Sequence, residues 1–211
     1  LMLIPLPVSP FGQTPAVDAA VQEGKTAMAS TASASPYSDE FENTTLSPQW
    51  SWYNPNTVSY NLTAVPGYLQ FVMPGDQSNA FPDVPRVLQT ITGDFTIETK
   101  LYTDGDTYFN RGGLILWQDS GYYVRLVKHQ DRNDCNIEFV KVENGVESTV
   151  GYTSCSGSEP RLRLTRESGT LSGTYSEDGI TWTPIGSTID FLPEMIDIGL
   201  VITDLTGYAL D

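Results

Sequence analysis

The chain has one histidine, His129, and two cysteines, Cys135 and Cys155, so few kinds of metal or nucleophile chemistry are open to it. A histidine-based metal centre needs several imidazoles, and two cysteines with a single histidine cannot supply the four ligands of a structural zinc site. A Ser-His-Asp triad would rest on His129 alone, and no motif around His129 indicates one. We therefore interpret His129 as a solvent-facing residue at the end of a strand, and the sequence predicts no catalytic residue.

Aromatic and planar charged side chains offer a different chemistry, the binding of sugars. A sugar site needs a ring against the apolar face of a pyranose, with planar donors and acceptors for the hydroxyl groups. The residues predicted to supply these groups are Trp117, Tyr123, Arg125, Glu138 and Arg163. The alternative is that the charged residues form an arginine–glutamate ladder that only stabilises a sheet. We interpret the other tryptophans as core anchors: Trp50, Trp52 and Trp182.

The elements that must position these residues are strands. Period-2 alternation begins near residue 38, and no long stretch has helical periodicity. The predicted strands cover residues 95–101, 113–117, 122–128, 161–166, 171–175, 180–185 and 196–203. The last of these is nearly continuous in apolar residues, which is typical of a strand covered on both faces. The sequence therefore predicts an all-β domain.

The two cysteines are predicted to form a disulfide. If residues 144–146 form a three-residue hairpin loop, facing residues have numbers that add up to 290, and Cys135 and Cys155 satisfy that register. A two-residue loop would miss this pairing by one position, so it would require a bulge; two free thiols are the alternative. A disulfide, with candidate glycosylation sites at Asn43 and Asn61, indicates an extracellular or cell-surface location.

The N-terminal part differs in composition from the rest. We expect an apolar extended segment at residues 1–13, an Ala/Ser/Thr-rich linker at 14–37 and a folded domain at 38–211. The apolar stretch is too short and too rich in proline for a membrane helix, and it lacks the basic residues of a signal peptide. It is either a leftover of a preceding region or an edge strand that adds to the sheet of a neighbouring subunit. In the second case the subunit contacts are Leu1, Leu3, Ile4, Leu6 and Val8.

The chain is strongly acidic, with 26 Asp and Glu against 11 Lys and Arg and a formal net charge of −15. Such a surface repels phosphate backbones and anionic lipid headgroups, so we expect neither nucleic-acid binding nor membrane insertion. No cofactor is predicted. The acidic loops at Asp104 and Asp106 and at residues 131–134 could offer oxygen ligands to calcium, although acidic turns of this kind are mostly plain solvated turns.

Several segments together resemble the concanavalin A-like jelly-roll domains, in particular the C-terminal accessory domains of β-xylosidase-type glycosidases. They are DEFENTTLSPQW at 39–50, WYNP at 52–55, PGYL at 66–69, GGLILWQD at 112–119, YYVRL at 122–126 and YSEDGITW at 175–182. The resemblance implies a sandwich of two antiparallel sheets, one concave and one convex, with carbohydrate often bound on the concave face. It is good evidence for the fold and weaker evidence for the function.

The chain departs from the family in two ways. Glucan-cleaving members of the superfamily have a Glu-x-Asp-x-x-Glu strand that supplies paired carboxylates, and this motif is absent here. Glu98 and Glu138 could approach each other, but carboxylates paired with arginine are the favoured interpretation. Family members also end in a further strand beside the first one, whereas here only residues 208–211 remain for it. We therefore predict a non-catalytic glycan-binding or adhesion module; the alternative is a structural subunit of a surface filament completed by strand exchange.

Overall fold

A computed structural model describes residues 2–6, 35–53, 58–72, 80–102, 110–130, 134–157, 159–191 and 193–204, with only the backbone at 2–6, 110 and 204. These residues contain strands and turns but no α-helix, and hence no helix that could cross a membrane. The strands are β1 Met2–Leu6, β2 Ser51–Tyr53, β3 Ser59–Asn61, β4 Leu69–Val72, β5 Arg86–Thr92, β6 Phe95–Tyr102, β7 Asn110–Asp119, β8 Tyr122–Gln130, β9 Cys135–Glu143, β10 Val146–Ser154, β11 Arg161–Glu167, β12 Thr170–Ser176, β13 Thr183–Pro184, β14 Ile189–Asp190 and β15 Met195–Asp204.

The strands form two antiparallel sheets. The eight-stranded sheet has the order β13-β12-β11-β6-β1-β4-β3, with β14 also paired to β12, and the seven-stranded sheet has the order β10-β9-β8-β7-β15-β5-β2. The predicted all-β, two-sheet antiparallel sandwich is confirmed.

Alternate residues of each strand face the core between the two sheets, as the period-2 pattern requires. In β8, for example, Val124 and Leu126 lie in this core, whereas Tyr123 and Val127 belong to a smaller apolar cluster on the opposite face. We call that opposite side of the seven-stranded sheet its outer face. Strand β15 is buried on both faces over most of its length, as its continuous apolar run predicted.

One predicted strand is wrong. Residues 180–185 form a bend followed by the two-residue strand β13, and Ile180 is 83% exposed. The cause is a turn organised by Asp178, whose carboxylate accepts hydrogen bonds from the backbone N–H groups of Ile180 and Thr181. These bonds hold the chain in a turn where the apolar pattern alone indicated extension.

The predicted disulfide is present: Cys135 and Cys155 are joined, with their Cα atoms 5.0 Å apart. The extra residue is not in the loop but in a bulge, since the register of β9 and β10 shifts between Thr149 and Gly151. The loop itself has two residues, Asn144 and Gly145, both with positive φ. The bulge restores the register that brings the cysteines together.

The N-terminal strand β1 lies inside the eight-stranded sheet, where it pairs with both β6 and β4 of its own chain. A segment at residues 1–13 that is separate from the folded domain, and contacts of Leu3, Ile4 and Leu6 with a neighbouring subunit, stay predictions, although within this chain the strand forms part of the sheet. The physical reason is that β6 and β4 both offer unpaired backbone groups to the position between them. Leu1, Val8, residues 14–34 of the linker and residues 208–211 lie outside the described residues, and exchange of β1 between copies stays a prediction.

Candidate functional site

Four of the five residues predicted to bind sugar lie on the outer face of the seven-stranded sheet. Trp117 faces Tyr123 across β7 and β8, Arg125 follows Tyr123 on the same side of β8, and Glu138 lies on β9 opposite Val127. The alternation of the strands therefore brings these four side chains to one surface, as the sequence predicted.

The aromatic part of this surface is covered by the chain itself. The ring of Phe81 stacks on Tyr123 with 5.8 Å between centroids, and Tyr123 stacks on Trp117 at 5.4 Å. Tyr123 is only 5% exposed and Arg125 only 3%. The expectation that Tyr123 and Arg125 line an open groove is corrected, because residues 80–85 cover them.

Two arginines hold this cover in place. The Arg86 guanidinium lies 3.7 Å from the ring centre of Trp117, and its Nη1 donates hydrogen bonds to the carbonyl oxygens of Pro82 and Val84. Arg125 lies 4.5 Å from the Phe81 ring centre and donates two hydrogen bonds, at 2.9 and 2.8 Å, to the carboxylate of Glu147. Cation–π and charge-assisted contacts of this kind fix the loop against the sheet.

The polar part of the outer face lies farther along the strands and is more open. Glu138 Oε1 lies 3.4 Å from Nδ1 of His129 and 3.7 Å from Nη2 of Arg111. Hydrogen bonding with His129 and the nearby charge of Arg111 hold the pKa of the Glu138 carboxyl below its usual value. His129 is thus a half-buried partner of a carboxylate rather than a simple solvent-facing residue.

An exposed aromatic ring lies beside this carboxylate. Tyr152 on the edge strand β10 is directly opposite Glu138 and is 57% exposed. We call Arg111, His129, Glu138 and Tyr152 the Glu138 cluster. Tyr123 faces Val142 on the neighbouring strand β9, and Glu138 lies four residues along β9 from Val142. The Glu138 cluster and the covered aromatic rings are therefore about 13 Å apart along the strand.

The Nε atom of Arg111 is buried and has no hydrogen-bond acceptor among the described residues. A buried guanidinium N–H without an acceptor lacks the favourable free energy of a hydrogen bond. The Glu138 cluster thus combines a carboxylate acceptor, an unmatched planar donor and an accessible ring, which are the groups that a sugar requires.

The fifth predicted residue, Arg163, lies elsewhere. It belongs to β11 of the eight-stranded sheet, where its guanidinium donates to Glu98 at 3.0 and 2.7 Å and lies 3.5 Å from the ring centre of Trp182. This arrangement is the arginine–glutamate ladder that was the alternative interpretation. Trp182 is therefore half-buried beneath an arginine rather than a core anchor, whereas Trp50 is buried in the core and Trp52 packs against it.

The two candidate carboxylates do not meet. Glu98 and Glu138 lie on outward-facing sides of different sheets, which are separated by the core. Stacked sheets are about 10 Å apart even between their mean planes, so this pair does not have the spacing of a retaining glycosidase.

The described residues include no group of three His, Cys, Asp or Glu that could hold a metal ion. Asp104, Asp106 and Asp131 lie outside the described ranges, so calcium binding stays a prediction.

Asn43 is exposed, whereas the side-chain oxygen of Asn61 accepts hydrogen bonds from the backbone N–H groups of Thr63 and Ala64. Glycosylation of either asparagine also stays a prediction.

A cleft of about 660 Å³ opens at the end of the sandwich where the β7–β8 and β9–β10 turns meet. Its lining includes Tyr122, Lys141, Glu143, Phe191 and Ile196. Lys141 and Glu143 form an ion pair at 3.0 Å, so their charges are already matched. The cleft is the main competitor of the Glu138 cluster as a ligand site.

Sequence reasoning missed Tyr152, Arg111 and Phe81. The register that pairs the cysteines also places Tyr152 opposite Glu138, so this contact could have been found from the same arithmetic. The pairing of Arg111 with His129 depends on a register shift between Trp117 and Asp119 that no residue pattern indicates. The position of Phe81 depends on a loop remote in sequence from the strands that it covers.

Comparison with protein families gives a match over most of the chain. Residues 38–197 match the family model described as Beta xylosidase C-terminal Concanavalin A-like domain. The match includes every residue of the Glu138 cluster. No curated protein matches the chain.

Solved structures with the same fold come from bacteria and yeast. The chain is similar to the GH43 BlXynB protein from Bacillus licheniformis, with 16% identity, a TM-score of 0.63 and coverage of 82% of this chain and 36% of that one. The xylan beta-1,4-xylosidase from Bacillus halodurans has 18% identity, a TM-score of 0.65 and coverage of 80% and 36%. A functionally unknown protein from Saccharomyces cerevisiae has 16% identity, a TM-score of 0.58 and coverage of 74% and 86%. The chain thus spans about a third of the two bacterial structures.

Proposed function

Because the chain belongs to the family of concanavalin A-like domains found at the C-terminus of β-xylosidases, we propose that it is an extracellular, non-catalytic module that binds polysaccharide through the Glu138 cluster. One observation carries the proposal. Half-buried Glu138 is held between Arg111 and His129, directly beside the exposed ring of Tyr152.

Each residue of the cluster has a role in this proposal. Tyr152 stacks against the apolar face of a pyranose, Glu138 accepts hydrogen bonds from two hydroxyl groups, and Arg111 donates from its guanidinium group to a sugar oxygen. His129 orients the Glu138 carboxylate. No role is assigned to Tyr123 or Arg125 in direct contact with sugar; they support the sheet beneath.

The extracellular location is supported by the disulfide, because such bonds persist mainly in oxidising compartments. The non-catalytic role is supported by the separation of Glu98 and Glu138 on different sheets. The polysaccharide class is suggested by the family, whose description names β-xylosidase. Soluble xylan, arabinoxylan, xyloglucan and cellulose form a suitable first panel.

Binding of the full chain to this panel, measured by isothermal titration calorimetry or affinity electrophoresis, tests the proposal. We expect Tyr152→Ala to weaken binding about tenfold, the effect of losing roughly 1.4 kcal/mol of ring contact. Glu138→Gln retains the shape of the side chain but removes its charge, and we expect a similar loss.

Tyr122→Ala is the matched control, since Tyr122 is an exposed tyrosine that lines the end cleft instead. We expect its binding to equal that of the unaltered chain. Loss of binding in Tyr122→Ala with none in Tyr152→Ala would move the site to the cleft. A chain that binds no member of the panel, nor any glycan on a broad array, would refute the proposed function.

A further inference from the structure

The hairpin that carries half of the Glu138 cluster is closed by the disulfide. Strand β9 contributes Glu138 and strand β10 contributes Tyr152, each three residues from a cysteine. The backbone N–H of Cys155 also donates to the carbonyl oxygen of Cys135 at 2.8 Å, so the ladder continues up to the covalent link. The disulfide lies at the same end of the hairpin as the cluster.

Apart from the disulfide and its ladder, strand β10 is held mainly at its bulge, where Val150 packs against the core and Gly151 lies close to the backbone of Ile185 and Gly186. It is the edge strand of the seven-stranded sheet, and in the described part of the chain its ladder partner is β9. None of its nine residues is fully buried. An edge strand with so little apolar burial is expected to fray at low free-energy cost.

The bulge at residue 150 isolates the segment that carries Tyr152. Between the bulge and the disulfide, β10 forms the four pairs from Gly151–Phe139 to Ser154–Asn136. On the turn side, the register shift breaks the continuity of the ladder. The position of the Tyr152 ring relative to Glu138 therefore depends on a short stretch with a covalent bond at its far end.

We propose that Cys135 and Cys155 are positioning residues of the polysaccharide site: their disulfide keeps Tyr152 beside Glu138 in the free protein, so that binding does not have to order the edge strand. This inference rests on the proposed function. Preorganisation of this kind improves affinity without adding a contact to the ligand.

The alternative is that the disulfide only stabilises the fold, by restricting the unfolded chain over a sequence separation of 20 residues. The two roles make different predictions. A bond that acts only on the unfolded state changes the melting temperature but leaves the affinity of the folded protein unchanged.

The test compares the full chain with the double variant Cys135→Ser, Cys155→Ser, at a temperature well below unfolding. The probe is the polysaccharide panel named above, and the measurements are the Kd and the hydrogen exchange of the amides of residues 151–154. We expect the Kd to rise at least fivefold and these amides to exchange at least tenfold faster, with exchange in β11 unchanged.

Leu171→Ala is the control for a general loss of stability, because Leu171 is fully buried in the core on the other sheet. It should lower the melting temperature with no change in Kd. If the serine variant does not fold, Cys135→Val with Cys155→Val supplies a β-branched cross-strand pair and the same readouts.

The outcomes separate the two proposals. An unaltered chain that binds the panel, together with a folded disulfide-free variant of equal affinity, overturns the positioning role alone. A disulfide-free variant with native exchange at residues 151–154 does the same. An unaltered chain that binds nothing overturns the proposed function, and the positioning role with it.

Discussion

Burial changes the role of several residues that the strand pattern placed correctly. Tyr123 and Arg125 lie on the outer face, as alternation requires, but Phe81 covers them. The two terminal nitrogens of the Arg125 guanidinium are nevertheless paired, because Glu147 accepts a hydrogen bond from each of them. A buried arginine that is paired and stacked stabilises the outer face and does not have to contact a ligand.

Lys128 is a more unusual residue, because it is on the core side of β8 and only 1% exposed. Burial lowers the pKa of its ammonium group from 10.5 to about 8. Between about pH 8 and pH 10.5, Lys128 is protonated in the unfolded chain and deprotonated in the folded chain. The free energy of unfolding therefore rises with pH in this window and is independent of this group below it.

Between pH 7.5 and pH 10.5, we expect the free energy of unfolding of the unaltered chain to increase by about 3 kcal/mol relative to that of Lys128→Met. Urea denaturation across this pH range measures the difference. Lys141→Met, which removes a lysine whose side chain is 27% exposed, is the control for replacement of a lysine by methionine. A difference that stays constant for Lys128→Met would contradict the shifted pKa.

Strand β1 decides the continuity of the eight-stranded sheet. Five residue pairs join it to β6, from Met2–Tyr102 to Leu6–Glu98, and two join it to β4. In the described residues, β3 and β4 belong to this sheet only through β1. The apolar, proline-containing pattern indicated an inserted strand, but nothing in the pattern specified which sheet would receive it.

Deletion of residues 1–6 is expected to lower the melting temperature by at least 5 °C, because it leaves both β6 and β4 with unpaired edges. Addition of a peptide of residues 1–8 should restore part of that loss, and a peptide of scrambled order should not. Differential scanning calorimetry gives both results. A shortened chain as stable as the original would show that β1 contributes nothing to the sheet, and restoration by the peptide would support exchange between copies.

On the scale of the whole molecule, the net charge of −15 repels any polysaccharide that carries negative charge. Long-range repulsion lowers the association rate of an acidic polymer and is screened by salt within about 10 Å at 0.1 M. A neutral polymer does not experience this repulsion. The acidic surface therefore favours neutral over acidic polysaccharides.

We expect affinity for polygalacturonate, if measurable, to increase when NaCl is raised from 20 to 200 mM, while affinity for neutral arabinoxylan changes less than twofold. Affinity electrophoresis at the two salt concentrations provides the comparison. Tighter binding of polygalacturonate at low salt would mean that Arg111 and its neighbours dominate the field at the site, contrary to the expectation from net charge.

The sequence by itself determined the all-β class, most of the strands and the disulfide, because alternation and hairpin register are local properties of a strand. The two-sheet sandwich was implied by the resemblance to concanavalin A-like domains. The hairpin register that pairs the two cysteines also places Tyr152 opposite Glu138. Only the tertiary structure decided that Phe81 covers Tyr123, that Arg163 lies on the opposite sheet, and that β1 completes its own sheet. These outcomes depend on pairings between segments distant in sequence, and the free energy of such contacts cannot be read from any single strand.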